Sequence, residues 1–116
     1  MARLALAEEI FRQTCFHAQQ AVEKALKGFL DARIGTHPRT HSLDEMFQRH
    51  RETLGELGAW REAWQRLDLF YLPTRYADAL PGLLPTGEPS REDAEGALAD
   101  ATGIVAEVRR RMGGRP

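Results

Sequence analysis

The chain has a single cysteine, Cys15, in 116 residues, which excludes an internal disulfide, and no Cys/His spacing matches a zinc ligand set. A reducing compartment follows. Long apolar runs are also missing: nothing approaches the roughly 18 residues of a membrane span, and Glu8, Glu9 and Arg12 interrupt the start too early for a signal-peptide core. A cytoplasmic protein is expected. Charge of one sign is missing too, since 16 Lys+Arg face 17 Asp+Glu for a net charge of -1. The two halves are equally balanced, so retention on nucleic acid by bulk charge is disfavoured. Lysine is scarce, with 2 against 14 arginines. Arginine makes the better phosphate fork, but a GC-rich genome produces the same bias.

β-branched aliphatics are few, with 3 Ile and 3 Val beside 16 Ala and 14 Leu. That excludes a β-rich fold and selects helices. From Ile10 to Leu30 there is no proline, and Phe11, Cys15, Ala18, Val22, Ala25 and Phe29 step by four and three, drawing one apolar stripe. Gln20 with Lys24 and Glu23 with Lys27 are read as i,i+4 pairs on the opposite side. Gly35 and Pro38 end the segment. A second helix is expected from Ser42, with Glu45 completing a capping box and Leu43, Met46 and Phe47 buried. Gly55 and Gly58 interrupt it. Leu57, Trp60, Trp64, Leu67 and Tyr71 then form the strongest stripe, which Pro73 is expected to end or kink.

Residues 73–89 hold four of the six prolines and are expected to be irregular. Ser90 with Asp93 signals a last helix, whose stripe is read as Ala94, Leu98, Ala101, Val105, Val108 and Met112. Arg109, Arg110 and Arg111 suit its C-terminal dipole. The expected fold is all-α: an up-and-down antiparallel bundle of four or five helices over residues 1–112, with a proline-rich loop before the last helix and a disordered tail at 113–116. Periodicity carries no function beyond that.

Three segments add a resemblance. CFHAQQAVEKALKGFL (15–30), THSL (40–43) and LDLFYLPTRYADALPG (67–82) are together similar to the HEPN domain family, named for nucleotide binding in higher eukaryotes and prokaryotes. The resemblance implies a helical bundle, commonly a homodimer, often paired with a minimal nucleotidyltransferase and associated with nucleotide or RNA binding. Gln19, Gln20, Glu23, Lys24 and Lys27 match the family's polar face, His41 its histidine before the next helix, and Tyr71, Arg75, Tyr76 and Asp78 its signature loop. Lys24, Lys27, Arg75 and Tyr76 become candidates for nucleotide or RNA binding: an Arg75 fork can hold phosphate while the Tyr76 ring offers a face to a base. Equally, Arg75 can pair with Asp78 or Glu23 and pin the loop.

Two departures from the family pattern stand out. Members have a full helix before the QQ helix, but only nine residues precede Ile10. The first helix is therefore a stub, or runs straight into the second, or the start is placed too late; a partner copy would then cover the exposed part of the Phe11, Cys15 and Val22 stripe. Second, some branches are ribonuclease toxins, acting through an arginine and a later histidine with four to six residues between them. Arg12 with His17 is the one match, and about 140° of helix separates the two. A binding module without catalytic residues is thus preferred to a metal-independent endoribonuclease toxin of a toxin–antitoxin pair. No cofactor is expected. No Glu-x-x-His metal pair occurs, and Pro38 keeps His37 and His41 off one helical face. Cys15 is read as a buried small hydrophobe.

Overall fold

The computed structural model describes residues 2–76 and 89–113, and side chains from residue 6 to 71 and 89 to 113. The described chain is helical throughout its ordered elements: α1 (Ala2–Ile34), α2 (Leu43–Arg49), the single turn α3 (Arg51–Leu54), a 3-10 stretch (Gly55–Trp60), α4 (Arg61–Tyr76) and α5 (Arg91–Arg111). Among the described residues no helix is long and apolar enough to cross a membrane. Asp78 and the tail residues 114–116 lie outside the described set.

Of the possibilities for the N-terminus, the first helix runs straight on into the QQ helix. The resulting 33 residues rise about 50 Å and set the 48 Å long axis of the molecule. No proline interrupts them. Gly35, at φ 78°, stops the helix, and its amide donates to the Asp31 carbonyl at 2.9 Å. That is a left-handed C-terminal cap, available to glycine without steric cost.

The three long helices alternate in direction. Tyr71 of α4 lies beside Phe16 of α1, and Asp68 beside Gln19, so α4 runs antiparallel to α1. Arg91 stands over Phe11, and Arg33 donates to the Arg111 carbonyl at 3.0 Å, so α5 returns parallel to α1. The remaining segment, α2 to the 3-10 stretch, packs across one side of α1 and α4. Small residues let α1 and α5 approach: Ala18, Ala94, Ala97 and Ala101 are all buried between larger side chains. The core holds the expected Cys15, Val22, Phe29, Leu43, Met46, Phe47, Leu57, Trp64 and Leu67, together with Leu26, Leu30, Leu54 and Ile104. Burial, with the Asp93 charge as a smaller cause, pushes the Cys15 thiol up to about 11, which keeps it protonated and unreactive at neutral pH.

Several local expectations are corrected. The Phe11, Cys15 and Val22 stripe is not left open: Cys15 and Val22 are fully buried, because α5 lies along α1. Pro73 does not end α4, which continues to Tyr76. Proline's fixed φ is helical, and so near a terminus the missing amide removes only one helical bond. Leu98 in α5 and Met112 at its C-cap are exposed, and Ala97 and Ile104 are buried instead. The buried set steps by three and four as the expected one does, but it begins with a step of three, which turns the covered face toward Ala97 and Ile104. Glu23 is only 7% exposed, so it does not belong to a solvated face.

Gly55 and Gly58 fall inside the 3-10 stretch, as expected of interrupting residues. Gly103 has a different role. A Cβ there would meet the Trp60 ring at 2.5 and 2.8 Å, so the indole occupies the space that a side chain would need. Gly103→Ala gains about 1 kcal/mol of helix propensity but forces Trp60 aside, which costs about 1–3 kcal/mol. The expected outcome is a lower urea midpoint together with a red-shifted tryptophan emission.

Candidate functional site

Asp68 lies on the buried side of α4, one turn beyond Trp64, and its carboxylate receives the N-terminus of α2. The Leu43 amide donates at 2.8 Å, the Asp44 amide at 3.0 Å, the Ser42 hydroxyl at 3.0 Å and the Gln19 amide at 3.4 Å. The first amides of a helix have no intrahelical acceptor, and a carboxylate also matches the helix dipole. Ser42 caps the same turn by accepting from the Glu45 amide at 3.1 Å. Glu45 does not close the expected box. Its carboxylate accepts from the Thr40 hydroxyl, whose oxygen accepts from the Ser42 amide, so Thr40 is inserted between the two members of the motif.

Gln19, fully buried, carries the network onward. Its amide also donates to the His41 carbonyl at 2.7 Å, and its own oxygen accepts from Gln20 at 2.9 Å. Gln20 donates to Glu23 at 3.3 Å, Lys27 donates to Glu23 at 3.0 Å, and His41 Nδ1 lies 3.1 and 3.2 Å from the two Glu23 oxygens. The His41 ring stacks on Tyr71, with centroids 5.1 Å apart and planes 21° from parallel, and Tyr71 stacks on Phe16 at 6.0 Å and 18°. One connected set thus joins Gln19, Gln20, Glu23, Lys27, His41 and Tyr71.

Other sequence-derived candidates are distributed differently. Lys24 is exposed on α1, one residue after Glu23. Lys27 is committed to Glu23, which offsets its charge. Arg75 and Tyr76 stand in the last turn of α4, one turn beyond Tyr71. Arg12 pairs with Glu9 at 2.7 Å, whereas His17 lines a groove between α1 and α5. The two do not form a unit, since α1 is continuous through both. His37 bonds Asp31 at 2.8 Å, and among the described residues no three His, Cys, Asp or Glu side chains gather as metal ligands. Arg110 and Arg111 pair with Glu107, and Arg111 also with Glu56.

The groove beside His17 has a volume of about 720 Å³ and is lined mainly by aliphatic and small side chains, Ile10, Ala21, Leu98 and Val105 among them. Arg109 lies at its margin. Ile10 and Leu98 are 51% and 56% exposed.

Asp68 is not among the residues that the sequence patterns single out. The available signal was a carboxylate inside the strongest apolar stripe, four residues after Trp64 and three before Tyr71, where a charge must find donors or be expelled. Phe16, half-buried, stands just off the stripe through Cys15 and is not part of any apolar pattern.

Burial raises the Asp68 pKa, and its four donors pull against that without cancelling it. The fold then holds the Asp68 proton more tightly than the unfolded chain does. Its contribution to stability falls as pH rises from the ordinary 3.8 through the raised value. Asp44 behaves oppositely. Arg61, donating at 2.7 and 3.1 Å, holds its pKa down at about 2, with help from Gln48 and Gln65. That contribution is complete above the ordinary 3.8 and is lost as pH falls through about 2. In Arg61→Ala, the Asp44 carboxyl carbon resonance should titrate closer to 3.8, and stability should vary less between pH 4 and 2. Asp68→Ala leaves buried amides without an acceptor and should cost about 2–4 kcal/mol in chemical denaturation. Asp68→Asn, which keeps one acceptor, should cost less.

Comparison with curated proteins and with solved structures finds no match. The HEPN domain family model matches residues 1–111, nearly the whole of this helical bundle, and the chain therefore belongs to the HEPN domain family, a nucleotide- or RNA-related module.

Proposed function

We propose that this HEPN domain is a noncatalytic module that binds a nucleotide or RNA and acts as a homodimer with a minimal nucleotidyltransferase. The observation that carries the ligand reading is the convergence of Gln20, Glu23, His41 and Tyr71 just ahead of the α4 turn that bears Arg75 and Tyr76. Exposed Lys24 adds a cation on the adjoining helix. Local phosphate contacts of this kind suit a chain whose net charge is -1, and they imply a shallow dependence of affinity on salt. The Arg12 and His17 geometry gives the ribonuclease reading no support.

Calorimetry with AMP, ATP and a short single-stranded RNA tests the ligand. Heat of binding is expected with the wild type, and Arg75→Ala should weaken binding at least tenfold while its melting curve stays unchanged. An absence of heat with all three ligands would overturn the ligand part and leave only the protein partner. Copurification with a tagged minimal nucleotidyltransferase tests that partner.

The homodimer reading commits the α1/α5 groove to a second copy. Exposed Leu6, Ile10 and Leu98 supply the apolar side chains for such an interface. Light scattering should give twice the 13.1 kDa chain mass, and Leu98→Arg should return it to 13.1 kDa. A monomeric wild type at micromolar concentration would sink the reading.

A further inference from the structure

His41 is held more firmly than a residue at a helix entrance requires. Asp68 and Ser42 already satisfy the first amides of α2, and Gln19 already fixes the His41 main chain. The imidazole nevertheless has two further restraints. Nδ1 faces both oxygens of the buried Glu23, which Lys27 in turn secures, and one face of the ring lies on Tyr71. Even so, 53% of the His41 side chain remains open to solvent.

The rings form a ladder. Phe16 and Tyr71 are 18° from parallel, and Tyr71 and His41 are 21° from parallel. Phe16 and Tyr71 are partly buried and His41 is exposed, so the ladder opens to solvent at its histidine end. A flat ring held in place and exposed on one side loses little further freedom when another flat ring is laid on it. The hydrogen-bonding edge is defined as well. A carboxylate only accepts, so Nδ1 carries the hydrogen, and in the neutral ring Nε2 is left with its lone pair. No described residue donates to it. A ligand that adds a flat face and a nearby hydroxyl or amine donor would complete both features, and a nucleoside has each.

We propose that the open face of His41 is the base-stacking platform of the nucleotide site, with the base as the fourth ring of the Phe16, Tyr71, His41 ladder and Nε2 accepting from a ligand donor. Glu23 is the positioning residue. This rests on the ligand reading above, but it names a different residue from Arg75 and a different part of the ligand from the phosphate.

The test is an NMR titration of the wild-type chain with adenosine and with AMP, following the imidazole carbon-bound protons of all four histidines. His41 signals should move upfield by ring current and saturate along the calorimetric isotherm. His41→Ala should weaken AMP binding roughly tenfold, the order of one lost base stack, and His41→Phe should restore it to within about threefold of wild type by the same stacking. AMP binding with unmoved His41 signals, or an unaltered affinity in a folded His41→Ala, would overturn this inference and leave the nucleotide reading standing. If no nucleotide binds the wild type at all, the ligand reading itself falls and the platform with it. Should His41→Ala fail to fold, the wild-type titration and His41→Phe decide the matter.

Discussion

The carboxylate of Asp68 is the point at which three helices agree on their register. It accepts from Gln19 on α1 and from Ser42, Leu43 and Asp44 at the start of α2, while it is itself carried by α4. A helix of seven residues cannot be stable in isolation. Here its first turn is docked on a buried carboxyl group in a place that excludes water, where satisfied hydrogen bonds are strong. His41 immediately precedes that turn. Its approach to Glu23 and its stacking on Tyr71 are therefore consequences of where Asp68 holds the chain, and the candidate site and the fold are parts of one network.

The use of charge follows the same economy. Arg33 with Glu56, Arg61 with Asp44 and Arg66 with Asp100 each join different segments, and the last pair is a two-pronged contact at 3.1 and 3.2 Å. Arginine's planar fork suits such pairing. These three arginines are thereby engaged in pairs within the molecule, although the Arg66 side chain stays largely exposed. The imidazole of His41, by contrast, is a single placed group, held by Glu23 and Tyr71.

The helices, their caps at Ser42 and Ser90 and the stop at Gly35 were legible in the sequence because each rests on local chemistry: spacing, a hydroxyl, a missing Cβ. The Ser90 and Asp93 signal takes the form of a capping box, with the Asp93 carboxylate accepting from the Ser90 amide at 2.9 Å. Facing was harder to read. Glu23 and Lys27 satisfy the i,i+4 rule for a solvated pair, yet Glu23 is covered because His41 arrives from eighteen residues away, and no helical period encodes that approach. Leu98 fits a four-residue step but stays exposed along the α1/α5 groove, while alanines such as Ala97, not leucines, allow the two helices to lie close. Asp68 was hidden for the opposite reason: its neighbours Leu67, Leu69 and Phe70 dominate any pattern drawn through them. The family resemblance groups Gln19, Gln20, Glu23, Lys27, His41 and Tyr71, and their geometry comes only from tertiary packing.

The parallel pairing of α1 with α5 joins the first and last described helices of the chain. Each side of the α1/α5 seam therefore waits for the other across a separation of more than fifty residues, from Ile34 to Arg91. Bringing them together carries a loop-closure entropy that a meandering bundle avoids, and it raises the contact order above that of helices paired only with their sequence neighbours. On the ribosome, α4 can dock on its side of α1 first, but the side of α1 that α5 covers stays open until α5 has left the exit tunnel. Synthesis thus places a time interval between making the longest helix and burying it, during which the nascent chain is a substrate for chaperones.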